Sequence, residues 1–395
     1  MMLLILLIIV YFLGFKLSPF PYWRTYLVLW KHVLFDRETP MNAVYRMRQA
    51  WFLMKYALLT PLWTALWWLD EWLFPAYKHC TVRPVFILGQ PRSGTTLLHR
   101  TLAADEATFV AARHIEWRFP YIALQKLIKA FGLSERLKAT DYWPCTETGK
   151  QASLMHPNTL YDWEEDGIFY EECFLHHFFI FLRFPYPNLL PYLDDFPGLP
   201  AHVQGQMIDI HHKVLQKILY LKGGAGLRYL SKEVTSHNKF ARLMRLYPDA
   251  KFIVIVRHSA DFMGSLYALV RKSTHAKTGI DPILIPGWEV AFIQRMKQDS
   301  LFLVDLCNNL IDPKNQIQLT FEGFVTDIEK TVGYLYNELG ITLTKSYIES
   351  LKTLQNKQQH RTTGYTYDIH AVEGFENFDN FVNNVDVQFN KAILI

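Results

Sequence analysis

The four cysteines of the 395-residue chain (Cys80, Cys145, Cys173 and Cys307) lie far apart, and no two have the spacing of a metal site or a redox pair. That argues against a zinc-stapled fold and a disulfide framework. It fits reduced, mostly buried thiols in a reducing compartment, and no cluster of metal ligands is visible. No Asn-x-Ser/Thr sequon occurs, so nothing marks a glycosylated lumenal chain. The net charge is only +4 and no run of lysine and arginine is long enough to follow a phosphate backbone, which removes nucleic acid as a partner. No internal repeat is found. The length then suits one large domain, or one domain with additions.

What the chain has in excess is aromatic side chains, and seven of its eleven tryptophans precede residue 83. Met1 to Phe15 is almost wholly apolar, has no basic n-region or cleavage site, and is shorter than the roughly 20 residues a spanning helix needs. From Lys16 to Lys55 there are seven lysines and arginines against Asp36 and Glu38. A second apolar stretch, Tyr56 to Leu69, carries Trp63, Trp67 and Trp68. Tryptophan beside apolar runs and cations is the composition of a membrane–water interface. Residues 1–82 therefore read as a membrane-associating helical segment: a short N-terminal anchor that can also serve as a transmembrane helix, then an interfacial helix. The alternative makes both stretches core helices.

A second unit, 83–395, opens with a buried strand, Val85 to Leu88, followed by Gly89-Gln90-Pro91-Arg92-Ser93-Gly94 and a helix beginning Thr95-Thr96. A glycine-bearing turn at a helix N-terminus aims N–H groups and the positive end of the helix dipole at one point, which attracts phosphate or sulfate. The spacing Gly89-x4-Gly94 is that of a P-loop, yet Thr95 stands where a triphosphate-binding lysine belongs. The nearest cation is Arg92, inside the loop.

Gln90-Pro91-Arg92-Ser93-Gly94-Thr95-Thr96 resembles the 5′-phosphosulfate loop of PAPS-dependent sulfotransferases, in the form of the branch holding tyrosylprotein sulfotransferases and many bacterial homologues. A second stretch resembles the same family: the β-branched run Lys251 to Val256, then Arg257, with Ser265 eight residues later in a helix that Ser259 can cap. The resemblance covers about residues 83–370. It implies an α/β fold, a P-loop-like parallel sheet flanked by helices, with PAPS as co-substrate and no metal. It places the cofactor on Pro91, Arg92, Ser93, Gly94, Thr95, Thr96 and Leu97, and its 3′-phosphate on Arg257 and Ser265. Arg92 would stabilise the leaving oxygen.

The general base it implies is a glutamate after the first helix. Glu116, ahead of Phe119-Pro120, is the best match; His114 is the rival, and a surface carboxylate between Arg113 and Arg118 is the plain alternative. Lys232 departs from the family's Lys-Ser-Pro and either faces the cofactor or pairs with Glu233. Phe321 replaces the family's tyrosine, and the tail around His360 and Arg361 resembles a segment that folds over the cofactor. Residues 140–200, with His156, Trp163 and Glu164-Glu165-Asp166, are where acceptor choice belongs. The expected reaction is sulfuryl transfer to a hydroxyl or amine. A lipid or other amphiphile is the leading small-molecule acceptor; peptide tyrosine and carbohydrate stay open. The expected place is a membrane with the catalytic domain in the cytoplasm, the alternative a Golgi lumen. Two rivals remain: a P-loop kinase of a small or lipid substrate, and a catalytically silent membrane-bound nucleotide binder.

Overall fold

The computed structural model describes residues 23–360 except Pro144, 177–181, 190–191, 193–195, Ala225 and Ser236, together with Ile5, Ile9, Leu13 and Ser18. In chain order the elements that matter are helices α1 (Trp23–Phe35) and α2 (Ala43–Leu73), strand β1 (Pro84–Gly89), α3 (Thr95–Ala103), β2 (Phe109–Ala111), α4 (His114–Arg118) and α5 (Gly167–Glu172). They continue with α6 (Ala201–Leu221), β3 (Arg228–Glu233), α7 (Phe240–Leu246), β4 (Lys251–Val256), α8 (Ser259–Thr278), α9 (Trp288–Asp305), β5 (Gln316–Thr320), α10 (Ile328–Glu338) and α11 (Lys345–Gln359).

Strands that alternate with helices must return by crossovers, so they pair in parallel. All four pairings are parallel, in the order β2-β3-β1-β4-β5. The central strands are buried on both faces, which is why they read as unbroken apolar runs. Phe86 and Leu88 pack with Phe252, Val254 and the α6 residues Val214 and Leu215; Val85 and Ile87 pack on the opposite face with Leu98, Ile253 and Leu335. Leu88 lies opposite Glu233 and Gly89 opposite Ile255, so β1, β3 and β4 end at one edge. The carboxyl edge of such a sheet is where ligands bind.

α1 and α2 pack on the sheet unit through a third cluster in which Tyr26, Leu29, Leu53 and Tyr56 meet Phe262, Leu266 and Trp288. Asp70 ties α2 further in, accepting hydrogen bonds from the Ile122 and Ala123 amides at 2.6 and 2.9 Å and from Lys217 at 3.0 Å. The stretch Tyr56 to Leu69 is thus half core: Tyr56, Thr60, Thr64 and Trp67 are buried while Leu58, Leu62, Trp68 and Leu69 are exposed. Among the described residues no helix is long and apolar enough to cross a membrane. The expected anchor, Met1 to Phe15, lies outside the described residues but for Ile5, Ile9 and Leu13, as does the tail from residue 361. The expected cap Ser259 is instead the first residue of α8, with His258 in the capping position. All four cysteines are free; Cys173 and Cys307 are buried, Cys80 is half-buried and Cys145 is exposed.

Candidate active site

A cavity of about 950 Å³ opens at the carboxyl edge, and its walls include Pro91, Arg92, Gly94, Thr95, Thr96, Leu97, Arg257 and Ser265. Two glycines make the loop possible. A Cβ on Gly89 would meet the Ile255 carbonyl oxygen at 2.5 Å, and one on Gly94, at φ +90°, would meet the Phe321 ring at 2.3 Å. Helix α3 starts immediately after Gly94, so its first N–H groups have no partner within the helix and face the cavity with the dipole's positive end.

Arg92 holds a left-handed backbone, φ 70°, which side chains avoid. Such strain persists where the surroundings enforce it, and it marks functional positions. The conformation sends the guanidinium across the cavity, where Nε donates to Ser265 Oγ at 3.0 Å and Nη2 to the Met155 carbonyl at 3.2 Å. Arg257 Nη1 donates to the Arg92 carbonyl at 3.2 Å, and its guanidinium lies 4.6 Å from the centre of the Phe321 ring. The residues of the two sequence stretches therefore share one wall. Phe321, lacking a hydroxyl, acts as a flat plate beneath Arg257 and over Gly94.

Two expected residues are placed elsewhere. Ser93 is fully buried, with its hydroxyl donating to the Gln90 carbonyl at 2.6 Å; it braces the loop from behind. Glu116 is not among the residues lining the cavity. Its carboxylate accepts the Arg113 amide at 2.6 Å, closing the first turn of α4, and meets Lys222 Nζ at 3.0 Å. The carboxylate is thus engaged by its own helix start and by a lysine just past α6. Nor is it the surface carboxylate of the plain alternative, since Glu116 is buried. His114 does line the cavity, but its Nε2 accepts from Arg118 Nε at 2.8 Å, which occupies the lone pair a base would need.

Lys232 settles against its second expected partner. Neighbouring strand residues point to opposite faces, so Glu233 pairs with Lys239, and Lys232 reaches Thr96 Oγ1 at 3.1 Å and Glu164 Oε2 at 3.3 Å. The cation missing after Gly94 thus arrives from β3. Burial alone would lower the Lys232 ammonium, but Glu164 and Glu165 raise it above its ordinary value. For Glu164 burial works upward and is overcome by Lys232 and His156, which hold the carboxyl well below the usual range. Glu165 is pushed up to about 7, chiefly by burial.

His156 completes the group. Its Nε2 lies 3.5 Å from Glu164 Oε1, its backbone carbonyl accepts from Trp143 Nε1 at 2.8 Å, and its side chain lines the cavity next to Met155, the residue Arg92 grips. With Nε2 turned to the carboxylate, Nδ1 is the nitrogen left to accept a proton. Burial lowers the imidazole below its ordinary value, so it is neutral near pH 7. No spacing rule signals this constellation, because residues 156 and 164 reach Lys232 and the loop only through irregular chain.

Burial also pushes His99 and His114 down to about 3. Below about pH 6.5 the unfolded chain then binds more protons than the folded one. This stabilisation is complete above that pH and is lost progressively as pH falls toward 3. Calorimetry should show the melting temperature falling steadily from pH 6.5 to 5; a flat profile would mean the imidazoles are charged in the fold.

The Sulfotransferase family model matches residues 84–345. Among curated proteins, the omega-hydroxy-beta-dihydromenaquinone-9 sulfotransferases Stf3 of Mycobacterium bovis and Mycobacterium tuberculosis are each 24% identical over 297 residues, covering 71% of this chain and 69% of theirs. Among solved structures, sulfotransferase STF9 from Mycobacterium avium superposes with a TM-score of 0.72 at 15% identity, covering 98% of this chain and 96% of its own. STF1 from Mycobacterium tuberculosis gives 0.60 at 18% identity, covering 93% and 91%.

Proposed function

The chain belongs to the sulfotransferase family, and from that premise we propose that it moves a sulfuryl group from PAPS to a hydroxyl of a lipid-like or otherwise amphiphilic acceptor, with His156 as the base. The observation that carries this reading is the single wall on which Arg92, Ser265, Arg257 and the start of α3 meet. A ligand with two separate phosphates suits that wall. The α3 N-terminus, Thr96 and Lys232 take the 5′ end, while Arg257, whose buried Nε has no hydrogen-bond partner among the described residues, and Ser265 take the 3′-phosphate.

PAPS supplies an activated sulfuryl group. Arg92 and the loop amides counter negative charge that develops on the oxygen between phosphorus and sulfur as the S–O bond breaks. His156 Nδ1 accepts the acceptor's proton as its oxygen bonds to sulfur, and Glu164 steadies the imidazolium so formed. The cavity walls also include Trp143, Met155, Leu266, Leu269 and Val270, which suits an apolar acceptor. The menaquinone substrate in the names of the mycobacterial relatives supports the same class.

Thermal shift with PAP, ATP and GTP tests the reading: stabilisation by PAP alone is expected. Preference for ATP would favour a kinase, and PAP binding with no turnover on any amphiphilic alcohol would favour a silent binder. Arg257→Ala should weaken PAP binding by about 10–100-fold, measured by calorimetric titration. Unchanged affinity would remove Arg257 from the 3′-phosphate.

A further inference from the structure

Helix α2 is amphipathic in the reverse sense. Toward the protein it turns a mixed face, Gln49, Leu53, Tyr56, Thr60, Thr64, Trp67 and Asp70; outward it turns Met47, Trp51, Met54, Leu58, Leu62 and Trp72. The outward positions keep the three-and-four spacing of one helix face, and a helix bathed in water has the opposite distribution. Exposure reaches 64% at Met47 and Trp51 and 77% at Trp72. Nor can the helix roll to hide this stripe, because Asp70 is held inside by Lys217 and two backbone amides. α1 adds Leu27, Leu34 and Phe35, exposed by 62%, 59% and 71%.

Among residues 23–60 the exposed cations are Arg24, Lys31, Arg37, Arg48 and Lys55, against one exposed acid, Glu38. We propose that this outer face docks on the headgroup–acyl boundary of an anionic lipid bilayer, seating the enzyme on one leaflet without crossing it. Tryptophan and aliphatic side chains fringed by lysine and arginine suit that boundary. A second copy of the chain suits it less: a twofold contact would set the same cations against one another.

The docking face belongs to the layer packed against α8, one wall of the cavity. Leu266 and Val270 of α8 line the cavity and belong to the cluster formed by the inner sides of α1 and α2. An acceptor leaving the bilayer therefore has the α1–α2 layer and α8 to skirt before it reaches the cavity. This delivery rests on the sulfuryl-transfer reading; the docking itself does not.

The test is flotation of the full chain with vesicles of equimolar phosphatidylcholine and phosphatidylglycerol, compared with phosphatidylcholine alone. The wild type should float with the anionic vesicles. Trp51→Gln/Leu58→Gln/Leu62→Gln, at exposed sites and with a good helix former, should reduce partitioning at least about tenfold while the melting temperature and PAP binding hold. The change leaves the first 22 residues intact, so it reads the stripe alone. Undiminished flotation of the triple variant would overturn the proposal, as would a wild type that stays unbound. A wild-type dimer, seen by sedimentation equilibrium and abolished by the variant with no vesicle binding, would overturn it too. If flotation holds and PAP fails to bind, the docking stands and the sulfuryl-transfer reading falls.

Discussion

Replacing Arg92 by alanine is expected to cut turnover by about 10²–10⁴-fold, with PAP affinity reduced far less. The guanidinium is poised across the cavity by Ser265 Oγ and the Met155 carbonyl, so no reorganisation is required when charge develops. Both bonds have an ionised donor, and such a bond contributes about 1.5–3 kcal/mol. The effect should therefore appear in kcat beyond what a modest fall in melting temperature accounts for. Lysine restores the charge but not the planar fork, and Arg92→Lys is expected to recover only part of the rate. Near-normal turnover in the alanine variant would dismiss Arg92 from the chemistry.

The second large effect separates two candidates for the base. His156→Ala should lower kcat about 10²–10⁴-fold, and Glu116→Gln should leave kcat close to wild type while lowering the melting temperature. The glutamine can still accept the Arg113 amide but loses the attraction to Lys222. A pH–rate profile adds an independent reading. If His156 is the base, its neutral form is the active one, and burial lowers its pKa, so the acidic limb should fall below the ordinary imidazole value of about 6.5 and vanish in the variant. Collapse of kcat in Glu116→Gln with His156→Ala intact would reverse the assignment.

The contrast between the two residues shows where sequence reasoning works. Glu116 stands at a recognisable place, three residues into α4, but an N3 glutamate near a helix start has a local use that competes with any catalytic one. Its carboxylate was claimed by the Arg113 amide. Lys232 shows the same limit differently. Its adjacency to Glu233 in sequence suggested a pair, and strand alternation sent the two to opposite faces. His156 and Glu164 gave no periodic signal. Their partners sit on β3 and on the loop, so only folding could define their roles.

The sequence by itself determined the strand–loop–helix at residues 84–103, the buried strand before Arg257, and the parallel sheet these imply. Those features depend on local chemistry: apolar runs, two glycines that no other residue could replace, and helix starts. Tertiary structure alone decided which charges face the cavity, and it turned the face of α2 that carries Gln49, Thr60, Thr64 and Asp70 inward and a stripe of Trp51, Leu58 and Leu62 outward. Composition at residues 43–73 announced tryptophan and leucine without saying which side they would take. That choice came from Asp70 and Lys217, 147 residues apart, whose burial together fixes the roll of the helix. A buried ion is costly unless its partner is in place, and such a partner is a property of the fold.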